Sequence, residues 1–163
     1  MTEKRRRVRR RECDILKIDL EGERHSYAQV SYDPLLVFFD GAFTEDLPLN
    51  HVLQLPVMFR VWVHNDAIKK GIWPVVGKQP LADENSVEPF FYKQDAISGR
   101  LFVHHSMFAE TGWARPASAS ECEGLECAAV WEPEGIVNRL CDYYAGRPNE
   151  ALESMKIDRR AYS

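Results

Sequence analysis

Long apolar runs are missing from this chain. Its apolar stretches are short, such as Leu35–Phe39 and Val61–Val63, against the roughly 20 residues a membrane-spanning helix needs. No spanning helix is therefore expected. The N-terminus is basic but lacks the apolar stretch of an export signal. Cysteine is scarce, with only Cys13, Cys122, Cys127 and Cys141. Without an export signal these read as free thiols of a cytoplasmic protein. Cys122 and Cys127 have no second ligand pair nearby, so no metal site is expected. A Walker loop, a dinucleotide fingerprint, a zinc-protease motif and a nucleophile elbow are all absent. No cofactor is implied, and there are no internal repeats or low-complexity segments.

What is present is an ordinary globular composition. Of 163 residues, 45% are hydrophobic and 28% charged, which excludes a disordered or collagen-like chain. The length suits one domain whose core needs no staples. A net charge of -4 conceals an asymmetry. Seven of the 21 basic residues fall within residues 1–11, beside a single acid, Glu3. The remainder holds 14 basic and 24 acidic residues. An acidic body is thus joined to a cationic arm. Such a body repels nucleic acid and attracts basic partners. The arm, Lys4–Arg11, has no aromatic residue for base stacking and reads as a solvated extension.

From Cys13 onward the pattern becomes that of short strands. Ile15, Leu16, Ile18 and Leu20 predict a first strand, Glu21–Arg24 a turn, and Tyr27–Tyr32 the second strand of a hairpin. Leu35–Phe39 is apolar without alternation, which predicts burial on both faces. Leu47, Leu49, Val52, Leu53 and Leu55 are spaced for one or two helical turns. In residues 57–64, Val57, Phe59, Val61 and Val63 alternate with Met58, Arg60, Trp62 and His64, so a strand is expected with one apolar face in the core. Asn65–Gly71 reads as one helical turn, and Ile72–Val76 starts another strand, which Pro74 interrupts and so favours an edge or a bend. Residues 78–89 read as a loop. Phe90–Tyr92 and Leu101–His105 are strands joined by a turn at Ser98-Gly99. Residues 112–124 read as a mobile loop and Leu125–Trp131 as the last strand. Pro133 opens a helix whose stripe is Ile136, Val137, Leu140, Cys141 and Tyr144, closed by Gly146. A weaker helical segment covers residues 150–155. The expected fold is α+β: a curved, mainly antiparallel sheet of short strands with a C-terminal helix packed on it. The expected organisation is an arm (1–11), a single domain (12–146) and a tail (147–163).

Candidate chemistry is sparse. His104 and His105 are adjacent on a strand and point to opposite faces, so they do not share a metal. One of them meeting His64 and a thiol or carboxylate in a cleft would make a small hydrolase. Cys122 lies between Glu121 and Glu123, which disfavour its thiolate. Cys141 falls on the helical stripe as a small apolar residue. No catalytic residue is assigned. The acidic groups Asp83, Glu84, Glu121, Glu123 and Glu126, with Trp113 beside a loop glycine, form a candidate contact surface for a basic partner. Trp62, Trp73 and Trp131 read as core. A nucleic-acid module using the arm is the other alternative, and it requires steeply salt-dependent affinity that is lost without residues 1–11.

Three stretches carry a resemblance. PVMFRVWVHNDAIKKGIWPVVG (56–77), CDILKIDLEGERHSYAQVSYDPLLVFFD (13–40) and LECAAVWEPEGIVNRLCDYY (125–144) together resemble the immunity protein 26 family of bacterial polymorphic toxin systems, over roughly residues 12–145. Cys13 departs from the pattern, which would place Gly there. The resemblance implies a non-enzymatic, cytoplasmic protein that neutralises a cognate toxin domain by stoichiometric binding. It implies no membrane partner and does not fix the oligomeric state. Phe59, Val61, Asp66, Gly71, Trp73 and Pro74 would hold the fold, and the toxin contacts do not carry over from the family.

Overall fold

The computed structural model describes residues 11–32, 34–106 and 110–158. Of the basic arm only Arg11 falls among them. In chain order the elements are β1 (Asp14–Leu20), β2 (Arg24–Tyr32), β3 (Leu35–Phe39), α1 (Leu49–Val52), β4 (Val57–Val63), α2 (Asp66–Lys69), β5 (Val75–Lys78) and α3 (Asp83–Ser86). They continue with β6 (Phe91–Gln94), β7 (Leu101–His105), β8 (Trp113–Pro116), α4 (Ala119–Cys122), β9 (Glu126–Cys127), β10 (Val130–Trp131), α5 (Pro133–Ala145) and α6 (Glu150–Ser154). The fold is α+β. Among the described residues no helix is long and apolar enough to cross a membrane.

Period-two patterning builds a six-stranded sheet in the order β10-β4-β3-β2-β1-β5. On one face lie Leu16, Ile18, Val30, Leu36, Phe38, Phe59, Val61 and Val63. The α5 stripe, Ile136, Leu140 and Cys141, packs on them together with Trp73 and Trp131. Each large side chain so buried contributes roughly 1.5–3 kcal/mol. The opposite face presents Ile15, Tyr27, Val37 and Phe39, covered by Val52 and the leucines of the α1 segment. Leu35–Phe39 is buried throughout because this sheet is covered on both sides. The first residue of the β4 alternation, Val57, is instead 41% exposed, at the sheet's end.

A second sheet has four strands in the order β8-β7-β6-β9. Trp62, on the mixed face of β4, joins the two sheets: its ring lies 4.1 Å from that of Phe91, centroid to centroid, and Leu35 completes the cluster. The stretch 125–131 is thus two short strands rather than one. β9 pairs parallel to β6, and after Ala128 and Ala129 the chain reaches β10, which pairs parallel to β4. Among the described residues the other strand pairings are antiparallel. The 112–124 segment is β8 followed by α4, not an irregular loop, because Cys122 buries against Tyr92, Leu101 and Val103 and Ser118 caps α4 by accepting from the Glu121 amide. Within the expected loop 78–89 lies α3, tied down by Ser31 Oγ donating to the Asn85 carbonyl at 2.7 Å.

Helix α5 starts on Pro133 and ends at Gly146, whose φ of 68° is the left-handed cap glycine permits. Beyond it, Ala151, Leu152 and Met155 pack against the main core.

Candidate functional site

The smaller sheet carries a cross-strand row at its open edge. Phe91 stands opposite His104, His104 opposite Ala114, and His105 opposite Trp113. Opposed residues share a face, so Phe90, one position before Phe91, joins the row of His105 and Trp113. Ring centroids lie 4.8 Å apart for Phe90 and His105, 5.7 Å for His105 and Trp113, and 6.0 Å for Phe90 and Trp113. Phe90 is 48% exposed and Trp113 43%. Three packed aromatic rings thus face solvent beside Val87, which is 62% exposed.

The row is held from below. His105 Nε2 lies 3.3 Å from the Glu88 carbonyl, and its Nδ1 3.1 Å from Ser106 Oγ. Glu88 is itself buried and accepts from Trp62 Nε1 at 3.3 Å. Burial, and next a hydrogen bond to Glu88, raises the pKa of Tyr32. Arg60 donates to the carbonyls of Glu84 and Val87 at 3.0 and 2.6 Å. These bonds fix the strap from α3 to Phe90 on the larger sheet, so the rings are presented rather than free to collapse inward.

The edge itself favours side-chain contacts over backbone ones. The Ala117 amide donates inward to Leu101 O at 3.0 Å, and alternation turns the amides of Arg115 and Trp113 the same way. Ala114 and Pro116 therefore face outward, and proline has no N–H to offer an added strand.

The sequence-derived candidates divide. Trp113 lies in the row, on an edge strand whose four residues are all exposed. Arg115, two residues on, bridges to exposed Glu121 at 2.7 Å, and Glu123 is exposed at the end of α4. Asp83 and Glu84 are exposed on α3 and reach the row along the strap through Glu88. Glu126 is differently engaged. It lies on β9, across the sheet from β8. Its two carboxylate oxygens accept from Arg139 at 2.5 and 3.3 Å. From sequence neither Phe90 nor His105 reads as a contact residue: Phe90 reads only as part of a strand, and His105 only as a member of a hydrolase cluster. Their signal was there: a hairpin centred on Ile97 and Ser98 pairs Phe90 with His105 by symmetry.

The enzyme alternative needed His64, His104 or His105 and a thiol or carboxylate to converge. His105 is held in the aromatic row, and His64 Nδ1 lies instead 3.6 Å from Asp66. The thiols of Cys122 and Cys127 are disfavoured as thiolates. Burial first, then Glu121 for Cys122 and Glu126 for Cys127, pushes both pKa values up.

Comparison with known proteins gives one result. The family model described as Immunity protein 26 matches residues 11–102, just over half of the 163. The match spans β1 to β6 and the first two residues of β7 and so includes Phe90, whereas His105, Trp113, β10 and α5 lie beyond it. No curated protein and no solved structure matches the chain. The matched stretch holds five of the six strands of the larger sheet and, of the smaller one, β6 and the start of β7, and on that basis the chain belongs to the immunity protein 26 family.

Proposed function

We propose that this protein is a cytoplasmic immunity protein that neutralises a basic toxin domain by one-to-one binding and has no catalytic role. The observation that carries the reading is the exposed row of Phe90, His105 and Trp113, backed through Glu88 and Ser106, with exposed Asp83 and Glu84 on α3 seven and six residues before Phe90 and exposed Glu121 bridged to Arg115 of the strand that carries Trp113. Aromatic anchors with an acidic surround have the composition of a hot spot whose rim steers a cationic partner. Family membership supports the class of function, and the acidic body supports the charge of the partner.

Co-expression with the neighbouring toxin in a sensitive host tests the reading. Wild-type protein is expected to rescue growth and to co-purify as a one-to-one complex. Trp113→Ala should weaken the complex by about 30-fold or more, the effect of losing a central anchor of ~2 kcal/mol. Its melting temperature should stay unchanged, because the ring contributes to no buried cluster. Full rescue and unaltered affinity in Trp113→Ala and Phe90→Ala together would remove this surface from the interface.

A further inference from the structure

A second cluster lies at the β10 edge of the larger sheet. β10 pairs parallel to β4 with Trp131 opposite Val63. The next rank of that ladder places Glu132 beside His64, and the His64 amide donates to Trp131 O at 2.8 Å. The α2 turn then returns Asp66 to the same spot. One ligand atom from each of His64, Asp66 and Glu132 lies within 4.8 Å of the other two, and His64 Nδ1 is 3.6 Å from Asp66 Oδ2. Donors about a metal ion with bonds near 2.0–2.2 Å are separated by about this distance.

The helices that start here do not account for the carboxylates as caps. Glu132 occupies the N-cap position of α5 but makes no side-chain cap bond. Asn65 likewise makes none to α2, and its buried Oδ1 has no hydrogen-bond partner among the described residues. Two carboxylates are thus held beside one imidazole at a junction of two strand ends, partly open to solvent.

We infer that His64, Asp66 and Glu132 form a site for one divalent first-row transition ion of zinc-like preference. An imidazole with two carboxylates suits such an ion better than calcium, which takes six to eight oxygen ligands. Three protein ligands leave positions open to water. The ion would link the end of β4 to the start of α5, and binding to the folded state alone would stabilise it.

The test is titration of the full-length protein, under reducing conditions, with Co²⁺ and separately with Zn²⁺. One equivalent should bind, with a cobalt spectrum of nitrogen and oxygen ligands and no thiolate charge-transfer band. Zn²⁺ should raise the melting temperature of the wild type. His64→Ala and Glu132→Gln should each weaken binding by at least about tenfold and abolish that rise, while a variant with all four cysteines replaced by serine binds as the wild type does. Because both positions are solvent-accessible, the variants should keep the wild-type melting temperature in metal-free buffer. A thiolate band, no saturable binding, or unchanged affinity in the Glu132→Gln variant would overturn the assignment.

Discussion

Arg139 is the residue at which the parts of this fold meet. From α5 its guanidinium sits 3.6 Å from the Phe59 ring centroid of β4 and 5.2 Å from Trp131 of β10. It also grips Glu126 of the smaller sheet with both nitrogens. The two side chains are 11% and 24% exposed, so solvent screens the pair only weakly. Arg139→Ala would leave Glu126 without its partner and should lower unfolding stability by about 3 kcal/mol, measured by urea denaturation. Arg139→Met with Glu126→Gln should recover part of that loss. Cys13 shows the opposite situation. Its φ is 72°, a left-handed conformation that penalises a side chain. The family resemblance asks for Gly at this position for that reason. Cys13→Gly should gain about 0.5–1 kcal/mol after allowing for glycine's greater chain entropy. His25 is buried against Tyr27, with Nε2 3.0 Å from the phenol oxygen. Burial first, and then the charge of Lys17, lowers its pKa from the usual 6.5. The folded state therefore takes up its proton less readily than the unfolded chain does. The stability this supports is complete above that value and is lost as pH falls through the depressed one. Denaturation midpoints should fall between about pH 7 and 5, and the slope should flatten in His25→Gln.

At the level of elements, the sequence announces what repeats and conceals what does not. β1 and β4 carry alternation, β3 an unbroken apolar run and α5 a helical stripe, and each appears where that signal places it, whereas β2 starts at Arg24, inside the expected turn and three residues before Tyr27. β9 and β10 are two residues each. No period can be read from two residues, so the mainly apolar stretch Leu125–Trp131 reads as one strand. The division is set by tertiary structure, since the chain crosses from one sheet to the other at Ala128 and Ala129. β8 was hidden for a different reason. All four of its residues are exposed, so it has no apolar alternation, and only its ladder with β7 makes it a strand. The candidate surface was legible at Trp113 because an aromatic beside glycine stands out. Phe90 and His105 needed the hairpin register, and the engagement of Glu126 needed a contact thirteen residues away along the chain.

For the whole molecule, charge and shape divide the work. On the proposed reading, the acidic body would set how fast a basic partner arrives and the aromatic row how long it stays. Reversing Glu121 and Glu123 to lysine should slow association with the toxin and reduce its dependence on salt, with a smaller effect on dissociation. Stopped-flow mixing at two ionic strengths reads both. The proposed metal cluster shares no residue with the aromatic row, so its ligand variants and the interface variants are expected to act separately, which toxin affinity measured in His64→Ala checks. The most direct measurement is a titration of purified toxin activity with purified immunity protein. Neutralisation by binding requires activity to fall linearly to zero at one equivalent, without time dependence, with toxin recovered intact from the denatured complex. Progressive inactivation by a small fraction of an equivalent, or toxin left chemically altered, would contradict it and make the protein an enzyme.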